Sequence, residues 1–277
     1  MKPRRRAGRT GLHFLERYHA GEREQVWREL IELGDKVLAE PLRSEATLVC
    51  EEVTRRAREN LRTIHARLLD MGYDFAEPRA ALVDAAPDAE TQIEELEREL
   101  GAFPLIARVW YRTLASVNFS QAEGQRVYSE GIQAPAGPDI FGLGSHPVLI
   151  VQSLERCREE VHKGAAELED YIRQMKEGGW EEPVDLSEPN KLLPLGGWAS
   201  NCDPKGFTLP CSGIDAVIYD DGGGEIYFVD ELRSAFRWGG FPFWKRSLKD
   251  PDFYAPFQYR PSFEKLLPIL KEGLLEL

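Results

Sequence analysis

Carboxylates crowd one short stretch of this chain. Asp220, Asp221 and Glu225 flank a run of three glycines, and Asp230 and Glu231 follow closely. Oxygen donors at this density suit three kinds of chemistry. They can hold a hard cation, they can share the acid and base steps of a hydrolase, or they can meet a basic protein surface. The spacing of a calcium-binding EF-hand loop is absent, and the β-rich runs IDAVIY and EIYFV on either side make Asp220 to Gly224 a hairpin turn. Hydrolysis needs a cleft and shifted carboxyl pKa values around such acids. The remaining use is contact with a partner. It is assigned to Asp220, Asp221, Glu225, Asp230 and Glu231, with Trp238 and Trp244 of RWGGFPFW as aromatic anchors. The same aromatic string suits a core plug equally well.

Other catalytic patterns fail on inspection. Gly142-Leu143-Gly144-Ser145-His146-Pro147 lacks the last glycine of a nucleophile elbow and the third glycine of a dinucleotide loop. Ser145 and His146 are adjacent, so their side chains diverge and cannot serve each other as nucleophile and base. Gly222–Gly224 leads into a strand, has no following Lys-Ser/Thr pair, and sits among acids that repel phosphate. The Glu16/His19 and Glu159/His162 pairs have the spacing of a di-iron bundle. Such a bundle needs four long helices, and the strand-rich second half argues against it. The four cysteines form no C-x-x-C pair and read as free thiols. A Cys202–Cys211 bridge is sterically allowed. No metal and no cofactor is expected.

The elements that must carry these residues change character along the chain. Val26, Trp27, Leu30 and Ile31 fit one helical face ending near Gly34. After Pro41, the positions Val49, Val53, Ala57, Leu61, Ile64, Leu68 and Met71 form an amphipathic stripe that Gly72 stops. Arg55, Arg56, Arg58, Arg62 and Arg67 lie opposite and read as a solvated face among glutamates. Residues 76–90 are Ala- and Pro-rich without periodicity and read as a connector. Asp88 opens a helix that Gly101 ends, and Pro104 starts another whose apolar face runs from Leu105 to Val117. Strands are expected over 146–153 and 190–200, with a charged helix over 154–177. The 214–229 hairpin comes next, and then a short helix capped by Asp230. Pro268 should interrupt any long helix near the end. The expected fold class is α+β: a mixed or antiparallel sheet packed by helices, with an N-terminal helical region. The expected divisions are a disordered basic arm over 1–10, helices over 11–80 and an α+β domain over 88–277.

Composition narrows the partner. The net charge is −12, which repels nucleic-acid backbones and anionic membranes and favours a basic protein. Lys2, Arg4, Arg5, Arg6 and Arg9 depart locally from that average, as a solvated terminus or an RNA-binding arm. No secretory h-region follows them, and no apolar run is long enough to span a bilayer. A cytoplasmic location is expected. Oligomeric state has no signature.

The stretch IEELERELGAFPLIARVWYRTLASVNF (93–119) resembles the opening of the SMI1/KNR4 (SUKH) superfamily. Ile93, Leu96, Glu97, Leu100 and Gly101 match its acidic first helix, and Pro104, Trp110 and Tyr111 its second. Ser116 to Phe119 replace the usual Asn-Gly. FVDELRSAFRWGGFPFW (228–244) is similar to the C-terminal part of bacterial proteins of that group. The resemblance covers roughly 88–277 and leaves 1–87 unmatched. It implies an α+β fold and a non-enzymatic, protein-binding role, in bacterial members often immunity against a toxin domain such as a nuclease. A hydrolase built on the 220–231 carboxylates is the alternative.

Overall fold

The computed structural model describes residues 13–120, 149–178, 191–198, 204–219, 225–242 and 260–277. The basic arm, the Gly142–Pro147 string, Cys202, Asp220, Asp221 and Trp244 lie outside these residues.

The fold is α+β with an N-terminal helical region. Helices α1 (Phe14–His19) and α2 (Arg23–Glu32) lead through a 3-10 turn to α3 (Leu42–Asp70). The strip read from the sequence is the buried side of α3: Val49, Val53, Ala57, Leu61, Ile64 and Leu68 are fully enclosed, and Met71 lies at its edge. Burial of six such side chains drives the helix onto its neighbours. Gly72, with φ of 77°, terminates it in the left-handed region.

Two expectations change in the next segment. Residues 76–90 hold a strand, β1 (Leu82–Asp84), rather than only a connector. The helix after Pro104 is shorter than its apolar pattern suggests. After α4 (Ala89–Leu100), α5 spans Leu105–Thr113, and Leu114 and Val117 belong to β2 (Leu114–Asn118). A three-residue spacing of apolar side chains satisfies a strand as well when partners lie on both sides. Here β2 pairs antiparallel with β1 and with β3 (Ile150–Val151). The first backbone N–H groups of α5, which no helix can satisfy internally, donate to Gly213 O at 3.0 Å and Ile214 O at 2.9 Å. Gly101, with φ of 104°, packs its α-carbon against Pro210, and a Cβ there would come within 2.8 Å of Pro210 Cβ.

The charged helix appears as α6 (Leu154–Glu177). β4 (Lys191–Trp198) pairs antiparallel with β5 (Pro204–Leu209), and β6 (Val217–Tyr219) with β7 (Glu225–Tyr227). All described pairings are antiparallel, in three small sheets rather than one mixed sheet. Next, α7 runs over Phe228–Arg237, starting two residues before Asp230. Tyr227, not Asp230, is its N-cap. The last helix, α8 (Arg260–Lys271), contains Pro268 without ending there. One apolar cluster runs from Tyr18 to Leu277, so the 11–80 helices and the later elements share a single core. Trp110 and Phe207 each meet Phe228 edge-on at 5.3 Å in its middle. No helix among the described residues is long and apolar enough to cross a membrane.

Candidate functional site

The described members of the expected contact set do not converge. Glu225 is exposed at the start of β7, opposite Tyr219. Asp230 accepts a 2.7 Å hydrogen bond from Arg233 Nη1, which neutralises it. Glu231 is only 7% exposed and so is no surface contact. It falls on the side of α7 that carries Phe228, Leu232 and Ala235, all buried. Trp238 is half-buried and packs on the core, with its indole N–H buried and unpartnered. Gly239 and Gly240 take φ of 62° and 93°, and Gly240 N closes back on Ala235 O at 2.8 Å. A Cβ at Gly239 would sit 2.7 Å from Leu270 Cβ. Trp238 to Gly240 therefore form a helix stop that seats Phe241 in the core. Among the described residues, no group of acids, histidines and cysteines is arranged to hold a metal.

The geometry instead gathers polar groups where α1, α2, α3 and α7 meet. Beneath this junction, Asp215 is buried and accepts four hydrogen bonds. Trp27 Nε1 donates at 3.0 Å, Ala216 N at 2.8 Å, and Phe228 N and Val229 N each at 3.2 Å. The last two are N–H groups of the first turn of α7, Phe228 N being shared with Ala216 O at 3.1 Å, so Asp215 caps that helix from a distance. Burial pushes its carboxyl up to about 7, with Trp27 and the backbone donors pulling down against it and the nearby Asp230 charge adding to the rise.

Above it, Glu52 accepts from Arg55 Nε at 2.7 Å and Arg56 Nε at 2.6 Å. The hydrogen bond from Arg55 brings the Glu52 carboxyl down to about 2, against partial burial. Arg56, fixed in this way, lies over the Tyr18 ring at 5.6 Å. It also reaches a short segment that follows α8. The Asn60 amide donates to Leu275 O at 2.8 Å and accepts from Leu275 N at 2.7 Å. Arg56 Nη1 donates to Glu276 O at 3.1 Å and Arg233 Nε to Leu277 O at 3.2 Å. Arg23 Nη1 holds the Glu276 carboxylate at 2.8 Å. Leu277 is buried in the core cluster. The Tyr18 hydroxyl, Arg23 Nε and Arg233 Nη2 are buried here without partners. A cleft of about 910 Å³ opens alongside, lined by Arg28, Arg237 and Lys271 and equally by Glu22, Glu24, Glu29 and Glu32.

Among the described residues, polar contacts gather at this junction; the sequence reading took Arg56 for part of a solvated face, whereas Glu52 and the main chain of residue 276 hold it, and Tyr18, Arg23 and Asn60 were not singled out. One signal was available: Asn60 falls on the buried arc of α3, beside Ala57, Leu61 and Ile64, where a polar side chain needs a fixed partner. No family model, curated protein or solved structure matches the chain.

Proposed function

We propose that this chain is a non-enzymatic protein-binding module, acting in the cytoplasm, whose partner is a basic protein; neutralisation of a nuclease-like toxin domain is the sharpest form of the reading. The observation that carries it is the fate of the cations. Arg55 and Arg56 of α3 are tied to Glu52, Arg58 and Arg62 to Asp84, and Arg108 and Arg112 of α5 to Glu90. With net charge −12, the surplus acids are left facing solvent, among them Asp70, Glu94, Glu155 and Glu225. Surplus negative charge at the surface speeds encounter with a basic protein and suppresses like-charged competitors. The hydrolase alternative gains no support from Asp230 and Glu231, one paired and the other enclosed.

The test is co-expression with the product of an adjacent toxin gene. Survival of the host, and a purified complex whose association rate falls steeply with salt, are the expected results. A purified chain that turns over a small substrate, or protection unchanged when Glu94, Glu155 and Glu225 are all reversed to Lys, would sink the proposal.

A further inference from the structure

We infer that the groove between α2, α3 and α7 is a peptide-recognition site, with residues 274–277 as its resident occupant, and that it accepts in their place a partner peptide patterned apolar-apolar-acid-apolar. This inference is independent of the basic-partner reading, since it concerns a groove of mixed charge that reads extended backbone rather than the exposed acids named above.

Three features set the chemistry. Main-chain groups of three consecutive residues, 275 to 277, are read by side chains of Asn60, Arg56 and Arg233. Asn60 bonds both N–H and C=O of Leu275, the pairing an adjacent strand would make, so the site recognises extended backbone of any sequence. Side-chain selection comes from Arg23, which takes the Glu276 carboxylate, and from the buried seat of Leu277. The resident segment also leaves donors unused. The Tyr18 hydroxyl, Arg23 Nε and Arg233 Nη2 remain buried and unpartnered with residues 274–277 in place. Arg56 lies over the Tyr18 ring at 5.6 Å. A ligand that brings its acid deeper satisfies groups that the resident segment does not. Gly273, with φ of 65°, ends α8 and turns the chain toward the seated residues, with Leu274 N closing on Lys271 O at 3.2 Å.

The test uses the full chain and a dye-labelled, end-capped peptide of sequence Glu-Gly-Leu-Leu-Glu-Leu, read by fluorescence anisotropy. Leu277→Asp in the chain puts a charge into the apolar seat and expels the resident segment. The peptide should then bind at least about tenfold more tightly than to the unaltered chain, because the competing occupant is gone. A peptide with Lys in place of its second Glu should bind about threefold more weakly. In the unaltered chain, saturating peptide should speed hydrogen exchange at the Leu275 amide. That readout also stands alone if the substituted chain does not fold. Equal affinity for both chains, no saturable binding to either, or unchanged Leu275 exchange overturns the inference.

Discussion

Asp215→Asn tests whether burial or hydrogen bonding controls the central carboxyl. The carboxyl rises from 3.8 to about 7 on folding, so it binds a proton more tightly in the folded chain than in the unfolded one. The stability this group contributes is therefore complete below pH 3.8 and is lost as pH rises through 7. The loss runs at about 1.4 kcal/mol per pH unit and reaches about 4 kcal/mol. Asparagine keeps the shape and ends the titration. One of its two termini becomes a donor. Facing Trp27 Nε1 and Val229 N, that NH₂ group leaves two buried N–H groups unmatched, at about 1–3 kcal/mol each. The variant should be several kcal/mol weaker at pH 5, and the gap should narrow by roughly 2.5 kcal/mol by pH 8.5 as the native carboxyl ionises. Urea midpoints for both proteins at pH 5, 6, 7 and 8.5 measure it. His65, whose burial lowers its pKa, is common to both proteins and cancels in the difference. A gap that widens with pH would mean that the four donors and the α7 dipole outweigh burial, and the reasoning would fail.

Three further outcomes follow from the same contacts. Glu52→Gln removes a carboxyl held at about 2, whose stabilisation is present above pH 4.5 and is lost as pH falls through 2. Thermal melts at pH 7 should show a loss of about 2–3 kcal/mol that vanishes near pH 2. Gly239→Ala forces a Cβ onto Leu270 at an unfavourable φ and should lower stability by about 1–3 kcal/mol in urea titrations. Leu61→Ala, in the fully enclosed stripe of α3, should lower it by about 2–5 kcal/mol with an unchanged denaturant slope.

What the sequence made legible was whatever local pattern alone decides. The α3 stripe shows itself because seven apolar positions recur every three or four residues, and the 217–227 hairpin because glycines follow paired aspartates between β-rich runs. β1 was hidden because only Leu82 and Val83 mark it; pairing with β2, some thirty residues on, makes it a strand. The end of α5 was overrun for the same reason. The groove was least visible of all: Asn60 and Leu275 stand 215 positions apart, and Arg23, Arg56 and Arg233 come from three different helices. The acidic residues chosen as contacts were conspicuous in composition. The i,i+3 spacing of Asp230 and Arg233 did offer a local sign of their pairing, but nothing local says that the α7 face bearing Glu231 turns inward.

The residues that carry the SUKH resemblance now have structural work of their own. Ile93, Leu96 and Leu100 bury one face of α4, Gly101 lets Pro210 approach, Trp110 packs on Phe228, and Gly239-Gly240 turns the chain so that Phe241 enters the core. Each is required by packing or by a positive φ, whatever the protein binds. Such positions can be shared by proteins with unrelated partners, because they specify a scaffold and not a surface. On the proposed binding role, discrimination between partners resides in what this scaffold displays: the acids left unpaired once the arginines of α3 and α5 are consumed, and the Tyr18–Arg23–Arg56–Arg233 groove. The two use different residues: none of Glu94, Glu155 and Glu225 lines the groove. Reversing exposed acids and expelling residues 274–277 should therefore perturb different interactions, and the two sets of variants separate one binding face from the other.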